Sequence, residues 1–288
     1  MAEAMTARAP AGAGRRPGAL PLLWRQFRAQ NKLFWRNPFS AFFTLAFPLM
    51  FLLIFNALNT NQRIAELGDI RFAQFFTPGI LVFAVVSACY VNMATSLPIN
   101  RDEGVLKRVR GTPLPAWIYL TARIATAVYM AFISGTVMIL VGVLAFHVKI
   151  FWHLLPAALV TMLFGTTCLC ALGLAVAAIV PNGEAAPAFA NFTWLPIAFV
   201  SDIFYPTNKA PAWVKTVGDF FPVKHFAIAM EDAFSPFTKG SGFQWHDLRV
   251  IAIWGLAAAF FAFRRFKWEP NVSGGGRRTG ASARYRSG

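Results

Sequence analysis

Residues 72–115 read FAQFFTPGILVFAVVSACYVNMATSLPINRDEGVLKRVRGTPLP. The first 29 of them, 72–100, contain no Asp, Glu, Lys or Arg. Six charges then fall within ten positions: Arg101, Asp102, Glu103, Lys107, Arg108 and Arg110. A helix crosses the hydrocarbon core of a bilayer in about 20 residues. The apolar run, centred on Phe76–Leu97, is long enough, and the charges mark where the chain leaves the membrane.

Working outward, residues 37–62 are also free of these charges, with Phe39–Leu58 as their apolar heart. Ile124–Val148, begun near Trp117, Ile150–Gly183, centred on Leu154–Val180, and the shorter Ala185–Ser201 follow. Val250–Phe263 is a last run of only 14 residues, which reaches spanning length if it starts at Trp245, with Asp247 and Arg249 at headgroup level. The expected architecture is an all-α membrane protein with six transmembrane helices over 37–266.

Composition agrees. The 288 residues are 57% hydrophobic and 14% charged, whereas a soluble domain carries about 25% charged residues. The net charge of +15 sits in blocks between apolar runs, not on one face of a folded domain, so no nucleic acid is expected as a partner. Cys89, Cys168 and Cys170 lie inside apolar runs without ligand spacing, which argues against a disulfide framework or a zinc site. Residues 1–19 have no apolar core for a signal peptide and read as a disordered cytoplasmic tail. Residues 267–288 read as a second, basic one.

Lys and Arg set the orientation. Residues 1–38 carry seven, the loop 59–71 two, 101–115 four, the turn after Val148 one, 202–247 four against five acids, and 264–288 seven. That alternation puts both termini in the cytoplasm of a plasma (inner) membrane. Within 20–36, Arg25, Arg28, Lys32 and Arg36 share one helix face, Leu20, Leu23, Phe27 and Phe34 lie opposite, and Trp24 and Trp35 flank them. An amphipathic helix lying on the anionic bilayer surface is expected.

Absences narrow the function. No phosphate-cradling Walker A pattern occurs; the nearest glycine cluster is Lys239-Gly240-Ser241-Gly242. No metal or cofactor is expected in the chain itself, and His147, His153, His225 and His246 are scattered. The spans hold no Asp or Glu, whereas ion-coupled transporters carry such groups within the membrane. Arg123, near the inner end of its span, is expected to snorkel. Any transport must draw its energy from elsewhere.

The charged segment suits a short helix over 102–110. Asp102 and Glu103 fit its start, Lys107, Arg108 and Arg110 its end, and Gly111 with Pro113 and Pro115 its stop. Asp102-Glu103-Gly104, then Leu106-Lys107-Arg108, then Thr112-Pro113-Leu114-Pro115 resemble, in order, the loop signature of the type-2 permeases of ATP-binding-cassette (ABC) exporters, the drug and polysaccharide export family. Phe75–Ile80 resembles that family's second-span start. Phe204-Tyr205-Pro206, Pro211-Ala212-Trp213, Phe221-Pro222-Val223 and Ala229-Met230-Glu231 resemble its outer segment, although Pro222-Val-Lys-His225 replaces the more usual Asn-Pro-Leu-type tract. The likeness covers about residues 20–265.

The resemblance implies a permease subunit without an ATPase site of its own. It implies pairing as a homodimer or heterodimer, and a separate ATPase subunit, carrying ATP and Mg, docked on the 102–110 helix. The docking residues would be Asp102, Glu103, Gly104, Leu106, Lys107, Arg108, Arg110, Thr112 and Pro113. From the residues themselves, the aromatic loop 202–247 is expected to form a re-entrant hairpin in the outer leaflet, permitted only where protein or a wet cavity covers its backbone. Phe43, Phe47, Phe51, Asn56, Asn92, Thr95, Thr166 and Asn191 are candidate linings of a path for lipophilic or amphiphilic cargo, or else ordinary helix-packing groups. A stand-alone channel, scramblase or assembly factor is the alternative.

Overall fold

The long apolar run 72–100 folds as one nearly continuous rod. Helix α3 (Phe72–Val86) passes through a π turn at Ser87–Val91 into α4 (Asn92–Asp102). Nearly every side chain of α3 is buried, so this rod is the centre of the bundle. The computed structural model describes residues 18–36, 38–112, 114–206 and 210–265. The tails expected over 1–19 and 267–288 fall, but for residues 18 and 19, outside the described residues.

Around the rod stand α2 (Pro38–Leu58), α6 (Ala116–Phe146) and α7 (Leu155–Ile179), and α11 (Trp245–Arg265) packs on the far side of α7. Four helical stretches are long and apolar enough to cross a membrane: Phe72–Asp102, Trp117–Phe146, Trp152–Ile179 and Trp245–Arg265. In α2 the side chains are described without a break only from Thr44, so Thr44–Leu58 stands as a shorter apolar helix. Helix α8 (Ala186–Phe199) has 14 residues, about 21 Å at the helical rise. Among the described residues the fold is mostly helical, with a small antiparallel pair of two-residue strands, β1 (Arg63–Ile64) and β2 (Ile70–Arg71).

Local chemistry sets the ends. Pro115 stands extended before α6, and His147 closes it in the left-handed conformation at φ 55°. The His147 N–H then reaches back to Val143 O at 3.2 Å, the 5→1 bond of an αL closure, and the Val148 N–H reaches Gly142 O at 3.1 Å. Pro156 and Pro187 lie in the first turns of α7 and α8, where a missing N–H costs nothing. Gln74 stitches three elements together. Its Nε2 donates to Lys149 O and Phe234 O at 2.9 and 2.7 Å, and its Oε1 accepts from Lys149 N at 2.8 Å.

The bundle therefore has two distinct ends. At one lie the start of α3, the α6–α7 turn and the helical pair α9 (Ala212–Phe220) and α10 (Pro222–Phe234). At the other lie the end of α4, the short α5 (Val105–Arg110) and the α7–α8 turn. Helix α1 (Ala19–Trp35) packs beside α6, with Phe27 edge-on to Tyr129 at 5.8 Å between ring centres.

Candidate coupling face and the cavity beneath α1

The charged segment does not form one helix from 102 to 110. Helix α4 runs on to Asp102, Gly104 takes φ +71° and ψ 12°, and α5 starts at Val105. The acidic pair therefore ends the long rod rather than opening the peg. The turn demands a left-handed residue, which Gly supplies without a Cβ penalty, and a Cβ there would meet nothing within 4 Å. The helix does stop at Gly111, as expected, though without a left-handed cap. Gly111 is right-handed at φ −75°, and its N–H reaches Lys107 O and Arg108 O at 3.1 Å.

This geometry makes α5 a peg with two sides. Leu106 is fully buried and pins it to the bundle, while Glu103, Lys107 and Arg108 are exposed. Thr112 donates its hydroxyl to Val109 O at 2.6 Å. The Arg110 side chain and Pro113 lie outside the described residues.

Arg101, which sequence reading counted only as one more inside charge, is 3% exposed. Its Nη2 donates to Val180 O at 3.1 Å and Pro181 O at 2.9 Å, and its Nε to Asp102 Oδ1 at 3.2 Å. The other carboxylate oxygen of Asp102 accepts the Gly183 N–H at 2.5 Å. Together they latch the end of α4 onto the α7–α8 turn. At Gly183 a Cβ would stand 2.7 Å from Ile99 Cα, so the two segments are as close as backbones allow.

On α1, Arg25, Arg28, Lys32 and Arg36 are exposed, as is Trp24, whose ring stacks on Phe27 at 5.5 Å. Leu23, Phe27 and Phe34 are half-buried, but Leu20 is exposed. Between α1, α4, α5 and α6 lies a cavity of about 650 Å³. Arg123 lines this cavity. Its Nη1 donates to Tyr119 Oη at 3.0 Å, and its Nη2 donates to Ser96 Oγ. Ser96, on the facing helix, supplies an acceptor that the sequence reading of Arg123 did not anticipate.

The candidate path residues do not converge. Phe47, Phe51 and Phe55 form a ladder against Phe83 and Phe76, with neighbouring ring centres 5.0–6.4 Å apart. The Phe43 side chain is outside the described residues. Asn56 is 1% exposed, with neither side-chain polar atom bonded. The hydroxyls of Thr95 and Thr166 bond their own helices, to Val91 O and Leu163 O. Asn191 is exposed on α8. Of the candidates whose side chains are described, Asn92 alone lines the cavity beneath α1.

At the opposite end, His225 and Asp247 meet at 2.6 Å, and the second His225 nitrogen faces Asp219 O at 2.9 Å. Helix α10 is not one of the four long spans. The bond to Asp247 lifts the His225 pKa, and burial lifts that of Glu231 well above the usual carboxylate range. His246 joins His225 and Asp247 so that one ligand atom from each lies within 4.8 Å of the others. Sequence spacing hid this trio, because residues 225 and 246 are distant in the chain. Both His225 nitrogens are already engaged, so the arrangement works as a tie between α10 and α11.

Residues 21–234 match the family described as ABC-2 type transporter. The chain belongs to that family. It is 24% identical over 231 residues to YvfS of Bacillus subtilis, named as a transport permease, covering 80% of this chain and 91% of that one. It is 26% identical over 254 residues to the daunorubicin resistance ABC transporter permease protein DrrB1 of Streptomyces coeruleorubidus, covering 87% and 86%. It is 22% identical over 204 residues to YbhR of Escherichia coli K12, named as a multidrug ABC transporter permease, covering 68% of this chain and 54% of that one. The ABC-2 chain described here is thus a multi-pass membrane subunit of an ABC transporter.

Proposed function

We propose that this ABC-2 permease exports lipophilic or amphiphilic cargo (a drug, lipid or glycoconjugate), driven by a separate ATPase subunit seated on α5. The observation that carries this reading is the two-sided peg. Leu106 anchors α5, and Lys107, Arg108 and Glu103 face solvent beside a latch that reaches the α7–α8 turn. A rigid exposed peg transmits a push; a mobile basic loop does not. In this reading ATP and Mg stay on the partner, and the permease pairs with a second permease, the same or different. Helices α2 and α8 complete six passes between cytoplasmic termini in the plasma membrane. The multidrug and daunorubicin resistance names of YbhR and DrrB1 support cargo of this character.

The charge-reversed variants Glu103→Lys and Lys107→Glu should insert normally yet lose the ATPase on co-purification. Export into inverted vesicles should then fall to the level seen without ATP. Retention of the ATPase by both variants refutes the docking assignment. Export by the permease alone, without any ATPase, favours a stand-alone protein instead.

The pair α9–α10 supports the re-entrant reading of the outer segment. Phe226, Met230 and Phe234 are buried, while Trp213 and Phe220 are exposed and suit contact with lipid. Single cysteines across 215–237, in a background without native cysteines, should resist water-soluble maleimides from both sides along α10. Uniform labelling of that stretch removes the hairpin from the membrane.

A further inference from the structure

We infer that the cavity beneath α1 binds the single acidic headgroup, phosphate or carboxylate, of a membrane amphiphile, with Arg123 as its counter-ion. The inference deepens the exporter reading, on which it rests for the identity of the cargo.

A guanidinium offers five N–H donors. In Arg123 one serves Tyr119 Oη and another Ser96 Oγ, and Nε is buried without a partner. No carboxylate among the described residues forms an ion pair with it. An unpaired cation inside a membrane protein is costly and marks a functional position. The cavity around it is large enough for a headgroup with the first part of a chain. Its wall divides by chemistry: Gln30, Asn92 and Asn100 offer polar contacts, and Leu33, Phe34 and Met130 offer apolar ones. That division matches an amphiphile better than a free ion. Arg25, Arg28 and Lys32, exposed on α1, raise the local concentration of acidic lipids at this end of the bundle. Glu103 also lines the cavity, from the exposed α5 side, where water and salt screen it.

The test uses the full chain without an ATPase, so failure here is separable from failure of the exporter reading. Wild-type protein is taken from bilayers of equal phosphatidylglycerol and phosphatidylcholine with matched acyl chains. Retained lipids are counted by native mass spectrometry. Wild type should prefer phosphatidylglycerol by about ten-fold, the scale of one charge-assisted hydrogen bond. Arg123→Gln should bring the two lipids to parity, and Arg123→Lys should keep part of the preference. Arg264→Gln, which removes an exposed cation at the end of α11, should bind as wild type. Ala29→Trp fills the cavity from an exposed α1 position without touching the fold of Arg123, and should also abolish the preference.

Unchanged preference in Arg123→Gln or in Ala29→Trp overturns the inference, as does the absence of preference in wild type. Inorganic phosphate alone should leave the melting temperature unchanged. If it stabilises wild type as much as phosphatidylglycerol does, the cavity is a site for a free anion, and the amphiphile assignment falls.

Discussion

Replacing Gly173 with valine should prevent the bundle from assembling, with little monodisperse protein recovered in detergent. Gly173 lies in α7 where that helix crosses the π turn. A Cβ there would sit 2.7 Å from Tyr90 O and 2.7 Å from Met93 Cβ. Carbon atoms pack at about 3.5–4.0 Å, and one of these neighbours is backbone, so the helices themselves must part. Parting them disturbs the most buried element, since Tyr90, Met93 and Leu97 all sit in the core. Small residues at crossings let helices approach where no hydrophobic force between them operates in lipid. Even Gly173→Ala should cost about 1–3 kcal/mol, the usual range for overpacking. Gly111→Ala is the contrast. Its Cβ would meet only Arg108 O and Lys107 O, at 3.4 and 3.8 Å, and its φ of −75° suits any residue. Its thermal stability should stay within about 0.5 kcal/mol of wild type. Equal melting temperatures for Gly173→Ala and Gly111→Ala would mean that the crossing is looser than the contact distances imply.

These crossings explain which parts of the fold were legible in the sequence. Charge-free runs identify long helices because a bilayer tolerates little else, and Phe72–Asp102, Trp117–Phe146 and Trp152–Ile179 follow the runs closely. The peg was legible in kind but not in register. Dipole matching alone treats Asp102 and Glu103 as a helix start, and nothing in that rule weighs the left-handed turn at Gly104. A glycine between two charged clusters was the available signal. The site residues that matter most were not legible, because their partners are remote in sequence. Arg101 is buried because Pro181 and Val180, some 80 positions on, present their carbonyls to it just past the end of α7. Arg123 finds an acceptor in Ser96, which lies on a facing helix. His225 owes its bond to Asp247, 22 positions away. Hydropathy reads one helix at a time, and each of these is a property of two.

Arg101→Met should separate ATPase binding from export, which Lys107→Glu cannot do. The exposed side of α5 is unchanged in this variant, and Leu106 still anchors it, so the ATPase should still co-purify and hydrolyse ATP. What disappears is the tie between the end of α4 and the α7–α8 turn. Val180 O and Pro181 O lose a charged donor, and Asp102 keeps only its bond from Gly183. Hydrogen bonds to charged groups contribute about 1.5–3 kcal/mol each, and part of that returns as water reaches the half-exposed Asp102. The variant should therefore be folded but less heat-stable. A push on α5 then moves the end of the central rod without carrying the α7–α8 turn along. ATP hydrolysis should continue while export per ATP falls about ten-fold or more, the effect of losing roughly 1.4 kcal/mol of coupling. Arg101→Lys should recover little, because one ammonium on a flexible stem cannot serve two carbonyls and a carboxylate in the fixed planes of a guanidinium fork. Loss of the ATPase itself in Arg101→Met would make the latch a support for the docking face rather than a transmission element. Undiminished export per ATP would show that the force travels from α5 through Leu106 and the rod alone.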